Sequence, residues 1–309
     1  MNVPTHDDFL RLFGDPVWLA IGAEICRRHG IPHTLITRAE HGESVVLYVE
    51  DRFVLKIYRP WKTGFGREKL ALENVVRRLE LEVPEIAAEG NVEGYDYLIT
   101  TRIPGRLMTR AEWLSVDRDA QIGLLHQLAD GLQVLHSLDS DRIDFDWAEF
   151  VRKQAAGAVE RQRSEGGNPE WLERLPSYID ENLRLIPLDG PHVFLHGDVH
   201  FGNIRIVEHH GRLKIAGLFD FADSLRGFHA YDFIAVGVLM IQGQGDLQRE
   251  FFRRYGYADA AINEELRRTM MLLTIFYEWS SLRRYAERLG VDPMQYSLDE
   301  LERAIWNFA

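Results

Sequence analysis

Near residue 101 this chain changes character, and the change limits the folds open to it. Before that point the pattern is largely one of strands. Ser44–Val49 and Arg52–Tyr58 are rich in β-branched and aromatic residues with Glu50-Asp51 as a polar turn, which predicts an antiparallel hairpin. Tyr95–Thr100 predicts another strand, broken at Ile103-Pro104-Gly105. Two helices accompany them. From Asp8 to Arg28, Phe9, Leu12, Trp18, Leu19, Ile21 and Ile25 fall at helix-like spacing before a stop at His29-Gly30-Ile31-Pro32. Leu72, Val75, Val76 and Leu79 predict an amphipathic helix over 67–80, closed by Val83-Pro84. Beyond residue 101 the pattern is helical. Ile122, Leu125, Leu128, Ala129, Leu132, Leu135 and His136 form an apolar stripe, and Met270 to Leu289 reads as one long helix. Between them lie a charged helical stretch with a Gly166-Gly167-Asn168-Pro169 loop, then turns and short strands from Val193 to Phe221. No repeat or low-complexity segment is present. The expectation is an α+β chain in two lobes: a small mixed sheet with one prominent helix over 1–101, and a larger, mainly helical part over 102–309.

Composition limits what such a chain can bind. Its 309 residues are 46% hydrophobic, 27% charged and 11% aromatic, ordinary for a globular protein with a large core. At roughly 100–200 residues per domain, the length fits one large or two modest domains. Lysine and arginine number 36 against 48 aspartates and glutamates, a formal net charge of −12. Nucleic-acid binding rewards a basic face, and the cations here are scattered, so nucleic acid is excluded as a partner. The single cysteine, Cys26, permits no internal disulfide and points to a reducing compartment. The opening residues carry acids where a secretory leader has a basic and then an apolar region. No stretch reaches the ~18 apolar residues of a membrane span. These features predict a soluble, cytoplasmic protein with no membrane partner.

The densest chemical signal runs from Val193 to Ile206, where two apolar strands flank a polar loop holding His196, Asp198, His200 and Asn203. A short strand, Leu213–Ile215, leads to Gly217–Phe221, in which Asp220 interrupts apolar residues. A carboxylate there is costly unless it is paired or binds metal. Phosphoryl transfer from a nucleotide needs a carboxylate to orient the accepting hydroxyl and oxygen ligands to hold Mg²⁺ against the phosphates. Asp198, then Asn203, then Asp220 supply those groups in that chain order, as H-x-D-x-x-x-x-N followed by D-F. Upstream, Phe53, Leu55 and Ile57 share one strand face, and Val54, Lys56 and Tyr58 the other. Considered on its strand alone, Lys56 reads as an edge lysine snorkelling to water.

Taken together, these residues resemble the aminoglycoside phosphotransferase and choline kinase superfamily of protein-kinase-like small-molecule kinases. His196–Asn203 satisfies its H-G-D-x-H-x-x-N loop at every defined position. Asp220–Asp232 follows its D-[WF]-x-D-A-x-x-G-D-P-x-x-D metal segment without a gap, with Ser224 in place of Ala and Phe228-His229 in place of Asp-Pro. The resemblance covers about Leu35 to Leu289 and implies a bilobal kinase-like fold. It implies that Asp198 is the catalytic residue and that Asn203 and Asp220 hold Mg²⁺. Lys56 becomes the phosphate-binding lysine and Glu68 its helix partner, which reverses the edge-lysine reading. The turn 39–44 corresponds to the nucleotide loop, with Gly42 and Ser44 as contacts, and 98–105 to the hinge, with Thr100 and Arg102 at the nucleotide. ATP or GTP with Mg²⁺ would be the cofactors of a monomer or weak dimer. The acceptor would be a small, cationic molecule bearing a hydroxyl, with Asp223, Tyr277 and Glu278 as candidate contacts. Similarity to the antibiotic kinases implies an aminoglycoside or related aminocyclitol, inactivated by O-phosphorylation. The alternative is a housekeeping kinase of a sugar, amino alcohol or homoserine-like acceptor.

Three competing readings bear on the same residues. His192, His196 and His200 recur every fourth residue, as in a helical zinc site; Gly197, Gly202 and the strand-like flanks argue against a helix there. His196 reads better as a structural histidine bonded to loop backbone. A kinase-like chain can also serve as a non-catalytic nucleotide-binding module, but such chains lose the lysine or one of the two aspartates, and Lys56, Asp198, Asn203 and Asp220 are all present. His209-His210-Gly211 predicts a solvated hairpin turn and Cys26 a buried small residue. Surplus acid gathered near Asp223 and Glu278 would draw in a polycation.

Overall fold

A computed structural model describes residues 9, 13, 15–40 and 42–309. Asp8 and Leu12 of the first expected helix, and His41 of the turn 39–44, lie outside the described residues. The chain divides into two compact units: the described residues up to Pro104 with Ala216–Ser224, and Gly105–Ile215 with Leu225–Ala309. The division differs from a single cut at residue 101, because 216–224, which carries Asp220 and Asp223, groups with the first unit. Among the described residues, no helix is long and apolar enough to cross a membrane.

The first unit opens with helix α1 (Val17–Arg28). Its sheet comprises β1 (Ile36–Arg38), β2 (Val45–Val49), β3 (Phe53–Ile57), β4 (Ile86–Val92) and β5 (Tyr95–Thr101), in the antiparallel order β1-β2-β3-β5-β4. The expected hairpin is β2–β3, with Glu50 in the left-handed region at its turn. Strand alternation sorts the two faces. Val45, Leu47, Leu55, Ile57, Tyr97 and Ile99 join Trp18, Ile25 and Cys26 in one buried cluster. Lys56 points to the other face, paired in register with Val46 and Leu98. Its strand lies inside the sheet, between β2 and β5, so an edge position is ruled out.

Helix α2 (Gly64–Val75) ends five residues before the sequence expectation of 80. Val76 is already extended and Arg77 adopts φ 63, which no helix continues through. The helix buries Glu68, Ala71, Leu72 and Val75, an i, i+3, i+4, i+7 stripe whose first member is a carboxylate. Residues 216–224 join this unit through backbone pairing: the Glu82 amide donates to the Ala216 carbonyl at 3.0 Å and the Leu218 amide to the Glu82 carbonyl at 2.9 Å. Gly217 permits that approach, since a Cβ there would stand 2.2 Å from the Glu82 oxygen.

The second unit is mainly helical: α3 (Arg110–Ser115), α4 (Arg118–Ser137), α5 (Trp147–Ser164), α6 (Pro169–Asn182), α7 (Gly245–Tyr255), α8 (Glu264–Phe276), α9 (Leu282–Leu289) and α10 (Leu298–Ile305). The apolar stripe of α4 is buried from Leu125 to His136, with Ile122 partly buried, and Asn168 caps α6 ahead of Pro169. Short strands β6 (Val193–Leu195), β7 (Ile204–His209), β8 (Arg212–Leu218) and β9 (Leu225–Gly227) form the pairs β6–β9 and β7–β8. Exposed His210 and Gly211 turn the second pair, both at positive φ.

The single helix expected from Met270 to Leu289 is two helices. Tyr277 leaves the helical region at φ −58, ψ 135, and Ser281 caps the next helix by accepting from the Arg284 amide. Gln162, fully buried on α5, fixes the break. Its amide group donates to the Ser280 hydroxyl at 3.0 Å, and its oxygen accepts from the Leu282 amide at 2.9 Å.

Candidate active site

In the first unit, β3 and α2 bring Lys56 and Glu68 together, and the turn after β8 adds Asp220. The Lys56 Nζ donates to Glu68 Oε2 at 2.7 Å and to Asp220 Oδ1 at 2.6 Å. Tyr58, two residues along the same strand face, donates its hydroxyl to Glu68 Oε2 at 2.6 Å. The lysine and glutamate side chains are 14% and 7% exposed, whereas Asp220 is 44% exposed. Burial works against the lysine's charge, but attraction to Asp220 and then to Glu68 outweighs it and raises the pKa, so the ammonium stays protonated. Burial, then the Glu68 charge, raises the Tyr58 pKa, keeping its hydroxyl a donor. Asp220 sits at φ 64, a conformation uncommon outside glycine and costly to hold without surrounding support. Asp223, three residues on, is half-buried.

The nucleotide-loop candidates lie between β1 and β2. Gly42 takes φ 141 and is exposed, and Ser44 is half-buried. The loop is tethered through Glu43, whose carbonyl accepts from Arg59 and whose carboxylate accepts from Lys62. Thr100 is built into the sheet, opposite Val54 and Ile86. The Arg102 amide donates to the Arg52 carbonyl at 2.8 Å, and its guanidinium lies 4.7 Å from the Tyr48 ring centroid and 3.3 Å from Asp51 Oδ1.

In the second unit, the loop after β6 is anchored from beneath. Buried Asp232 accepts from the His196 amide at 2.9 Å, from the Gly197 amide at 2.7 Å and from His136 Nε2 at 3.0 Å. A carboxylate removed from water is tolerated there because both oxygens are satisfied. His196 is fully buried and accepts from the Asp198 amide at Nδ1, 3.2 Å away, which makes it a loop-shaping residue.

That anchoring holds Asp198, whose side chain is 18% exposed, inside a ring of donors. Asn203 Nδ2 donates to the Asp198 carbonyl at 2.8 Å and to its Oδ2 at 3.1 Å. His200 Nδ1 accepts from the Gly202 amide at 2.8 Å, so the proton of the neutral ring is on Nε2, which faces Asp198 Oδ2 at 3.1 Å. The Tyr277 hydroxyl donates to Oδ1. Burial disfavours the carboxylate's charge, but the His200 hydrogen bond and charge and the Tyr277 hydrogen bond prevail, and the pKa is lowered. Burial, then the Asp198 charge, raises the Tyr277 pKa well above the usual tyrosine value.

Asp198, Asn203 and Tyr277 are thus gathered in one place. Glu278 is exposed, with its amide donating to the Tyr231 hydroxyl at 3.2 Å. The sequence reading gave no role at the site to Tyr58, His136 or Gln162. Tyr58 carried a usable signal, a hydroxyl on the lysine's strand face. Their partners, 10 to 120 residues distant, gave none for His136 or Gln162.

The Phe228-His229 departure also has a structural outcome. His229 stacks on Tyr255 with ring planes 8° apart and centroids 5.5 Å apart, and its Nε2 lies 2.8 Å from the Tyr257 hydroxyl. His136 faces it at 6.4 Å between centroids. Burial and then His136 push the His229 pKa down to about 4, against a smaller upward pull from Asp232.

The residues fit a magnesium ion in kind. Because the Asn203 amide nitrogen is turned onto Asp198, the oxygen is the atom it can offer a cation, and Asp220 offers a part-exposed carboxylate. Both are the hard oxygen donors Mg²⁺ takes, usually only one or two from protein beside phosphate and water. The described residues contain no group of three histidine, cysteine or acidic side chains able to hold a metal. His192, His196 and His200 are not on a helix, which removes the basis of the zinc reading.

The model of the phosphotransferase enzyme family matches residues 35–271, most of the chain. The chain belongs to the phosphotransferase enzyme family. Its fold is the α+β, kinase-like fold of the aminoglycoside phosphotransferases. A GDP complex of aminoglycoside 2'-phosphotransferase-IIIa superposes with a TM-score of 0.68 at 15% identity, covering 94% of this chain and 98% of that one. The ternary complex of APH(2'')-IIa with streptomycin and ATP gives 0.63 at 15% identity, covering 91% and 97%. A thermostable mutant of APH(4)-Ia with ADP and hygromycin B gives 0.63 at 15% identity, covering 93% and 98%. Among curated proteins, none matches the sequence.

Proposed function

We propose that this phosphotransferase moves the γ-phosphoryl group of ATP or GTP onto a hydroxyl of a small cationic molecule, an aminoglycoside or related aminocyclitol. The observation that carries the reading is the Asp198 carboxylate, kept ionised and aimed by three side-chain donors, with Asn203 beside it. A carboxylate so satisfied is a weak base. It suits a loose phosphoryl-transfer transition state, in which the hydroxyl needs aiming more than early deprotonation. Asp198 orients the acceptor O–H and takes its proton late, as the new P–O bond forms and the bridging bond to the β-phosphate breaks. Lys56, held by Glu68, meets the negative charge of the α- and β-phosphates. Asn203 and Asp220 are the oxygen donors that would hold Mg²⁺, which when bound would supply the remaining neutralisation of phosphate charge. Gly42 and Ser44 cover the phosphates, and the chain from Thr100 to Arg102 borders the base. Since the Arg102 amide is already bonded to Arg52, it is not the hinge donor to a purine.

Support for the acceptor class comes from the solved relatives, whose complexes hold streptomycin, kanamycin, gentamicin and hygromycin B. Acidic Asp223 and Glu278, with Tyr277, are the groups assigned to the ammonium-rich acceptor. The test is phosphate transfer from labelled ATP and GTP to those four compounds, to choline and to homoserine, with Asp198→Asn as control. The proposal expects transfer to at least one aminoglycoside, lowered by about 10²–10⁴ in the control. Transfer confined to choline or homoserine would move the protein to a housekeeping role.

A further inference from the structure

The way the oxygens of Asp198 are shared decides where an acceptor can enter. Oδ2 receives two hydrogens, from His200 Nε2 at 3.1 Å and from Asn203 Nδ2 at 3.1 Å. Those two donors occupy both lone-pair directions of one carboxylate oxygen. A hydroxyl aimed by Asp198 must therefore come to Oδ1, and the Tyr277 phenol already donates there. The Tyr277 ring is held in that position, and its O–H hydrogen can turn away by rotation about the C–O bond. Tyr277 stands at the break between α8 and α9 that Gln162 fixes, and its buried ring packs against Tyr231 with centroids 5.8 Å apart.

We propose that the Tyr277 hydroxyl is a placeholder for the acceptor's hydroxyl: it takes one of the two lone-pair directions of Asp198 Oδ1 in the empty site and competes with water for that oxygen until an acceptor displaces it. The proposal rests on the reading of Asp198 as the group that aims the accepting hydroxyl. Its consequence is thrift with nucleotide. A water molecule on Oδ1 would stand where the acceptor oxygen belongs. In the reaction Tyr277 suppresses, the water oxygen bonds to the γ-phosphorus and the bridging oxygen leaves with its electron pair on the nucleoside diphosphate. The water proton passes to Asp198 and then to solvent, giving nucleoside diphosphate and inorganic phosphate. Tyr277 acts through Asp198 and is a positioning residue for the transfer.

Acceptor-free phosphate release from Mg·ATP and from Mg·GTP tests this in the native chain, Tyr277→Phe, Asp198→Asn and the Tyr277→Phe/Asp198→Asn double variant. Tyr277→Phe keeps the ring and removes only the donor. It is expected to raise hydrolysis about tenfold, the scale of one competing hydrogen bond, and the double variant to return to the native rate or below. A purely structural role for the phenol would lower hydrolysis along with thermal stability, so a melting curve accompanies each rate. Should the phenylalanine variant melt early, Tyr277→Met repeats the measurement with a different side chain lacking the donor. Hydrolysis unchanged or reduced in a folded Tyr277 variant, or a rise that survives Asp198→Asn, overturns the placeholder role. Hydrolysis indifferent to Asp198→Asn in the otherwise native chain overturns the underlying reading of Asp198 instead.

Discussion

The two units each hold a largely buried charge, and they stabilise it by different means. Around Lys56 the compensation is charge against charge: one ammonium lies between two carboxylates, and a tyrosine hydroxyl completes the coordination of Glu68. Around Asp198 the compensation is by converging hydrogen bonds: from a phenol, an amide and a histidine Nε2. In the proposed function, the first arrangement would give Lys56 an ion pair to exchange for phosphate. The second leaves the full negative charge of Asp198 in place while fixing its direction. Removing a member should therefore injure the first site through unbalanced charge and the second through lost aim.

The largest stability effect should come from Lys56→Met. It leaves Glu68 and Asp220 facing each other without a cation, a loss of about 3–5 kcal/mol if the uncompensated charge stays buried. The part exposure of Asp220 moves the effect toward the lower end. In denaturant unfolding, Lys56→Met/Glu68→Gln should recover part of the loss; a double variant less stable than the single would break the charge-balance account. Asp198→Asn should cost less, about 1–3 kcal/mol, because an amide NH₂ would meet the hydrogen of His200, Asn203 or Tyr277 and leave a donor unsatisfied. An Asp198→Asn protein as damaged as Lys56→Met would remove the contrast between the sites.

Protonation supplies a sharper test within the second unit. His229 titrates at about 4 when folded, below the ordinary 6.5, and is faced by His136, Asp232, Tyr255 and Tyr257. As pH falls from 6.5 toward 4, the unfolded chain binds the proton that the folded one refuses, so stability is lost. His229→Phe cannot take that proton. The difference in Tm between the native protein and His229→Phe should therefore shrink in favour of the variant from pH 7 to pH 5; a difference independent of pH would show that His229 carries its charge when folded. The smallest effect belongs to Tyr58→Phe, about 1 kcal/mol for one hydrogen bond, measured as a small drop in denaturant midpoint with the Lys56–Glu68 pair kept.

Much of the candidate site could be proposed from sequence because its residues are spaced locally. Asp198 and Asn203 lie on one loop, and Lys56 interrupts an apolar strand that could be recognised from its β-branched and aromatic residues. The misses come from distant partners or from weak local propensity. Strand β4 runs Ile-Ala-Ala-Glu-Gly-Asn-Val, poor in strand formers, and its Gly90 is required because a Cβ would stand 2.5 Å from the Tyr97 hydroxyl oxygen. Val76 and Leu79 extend the α2 pattern past its true end, since apolar periodicity carries no record of the left-handed turn at Arg77. The break between α8 and α9 is written mainly in Gln162, more than a hundred residues away. That break is also what delivers Tyr277 to Asp198, so the feature hardest to foresee is the one that completes the site.

The central claim is that Asp198 aims the attacking oxygen while nucleotide binding belongs to other groups. Measuring Mg·nucleotide affinity by calorimetry and acceptor-free phosphate release on the same Asp198→Asn preparation tests it most directly. The account predicts hydrolysis lowered by at least about 10²-fold with Kd for Mg·ATP or Mg·GTP essentially unchanged. Native hydrolysis in Asp198→Asn, or a loss of turnover that follows entirely from lost nucleotide affinity, would contradict it.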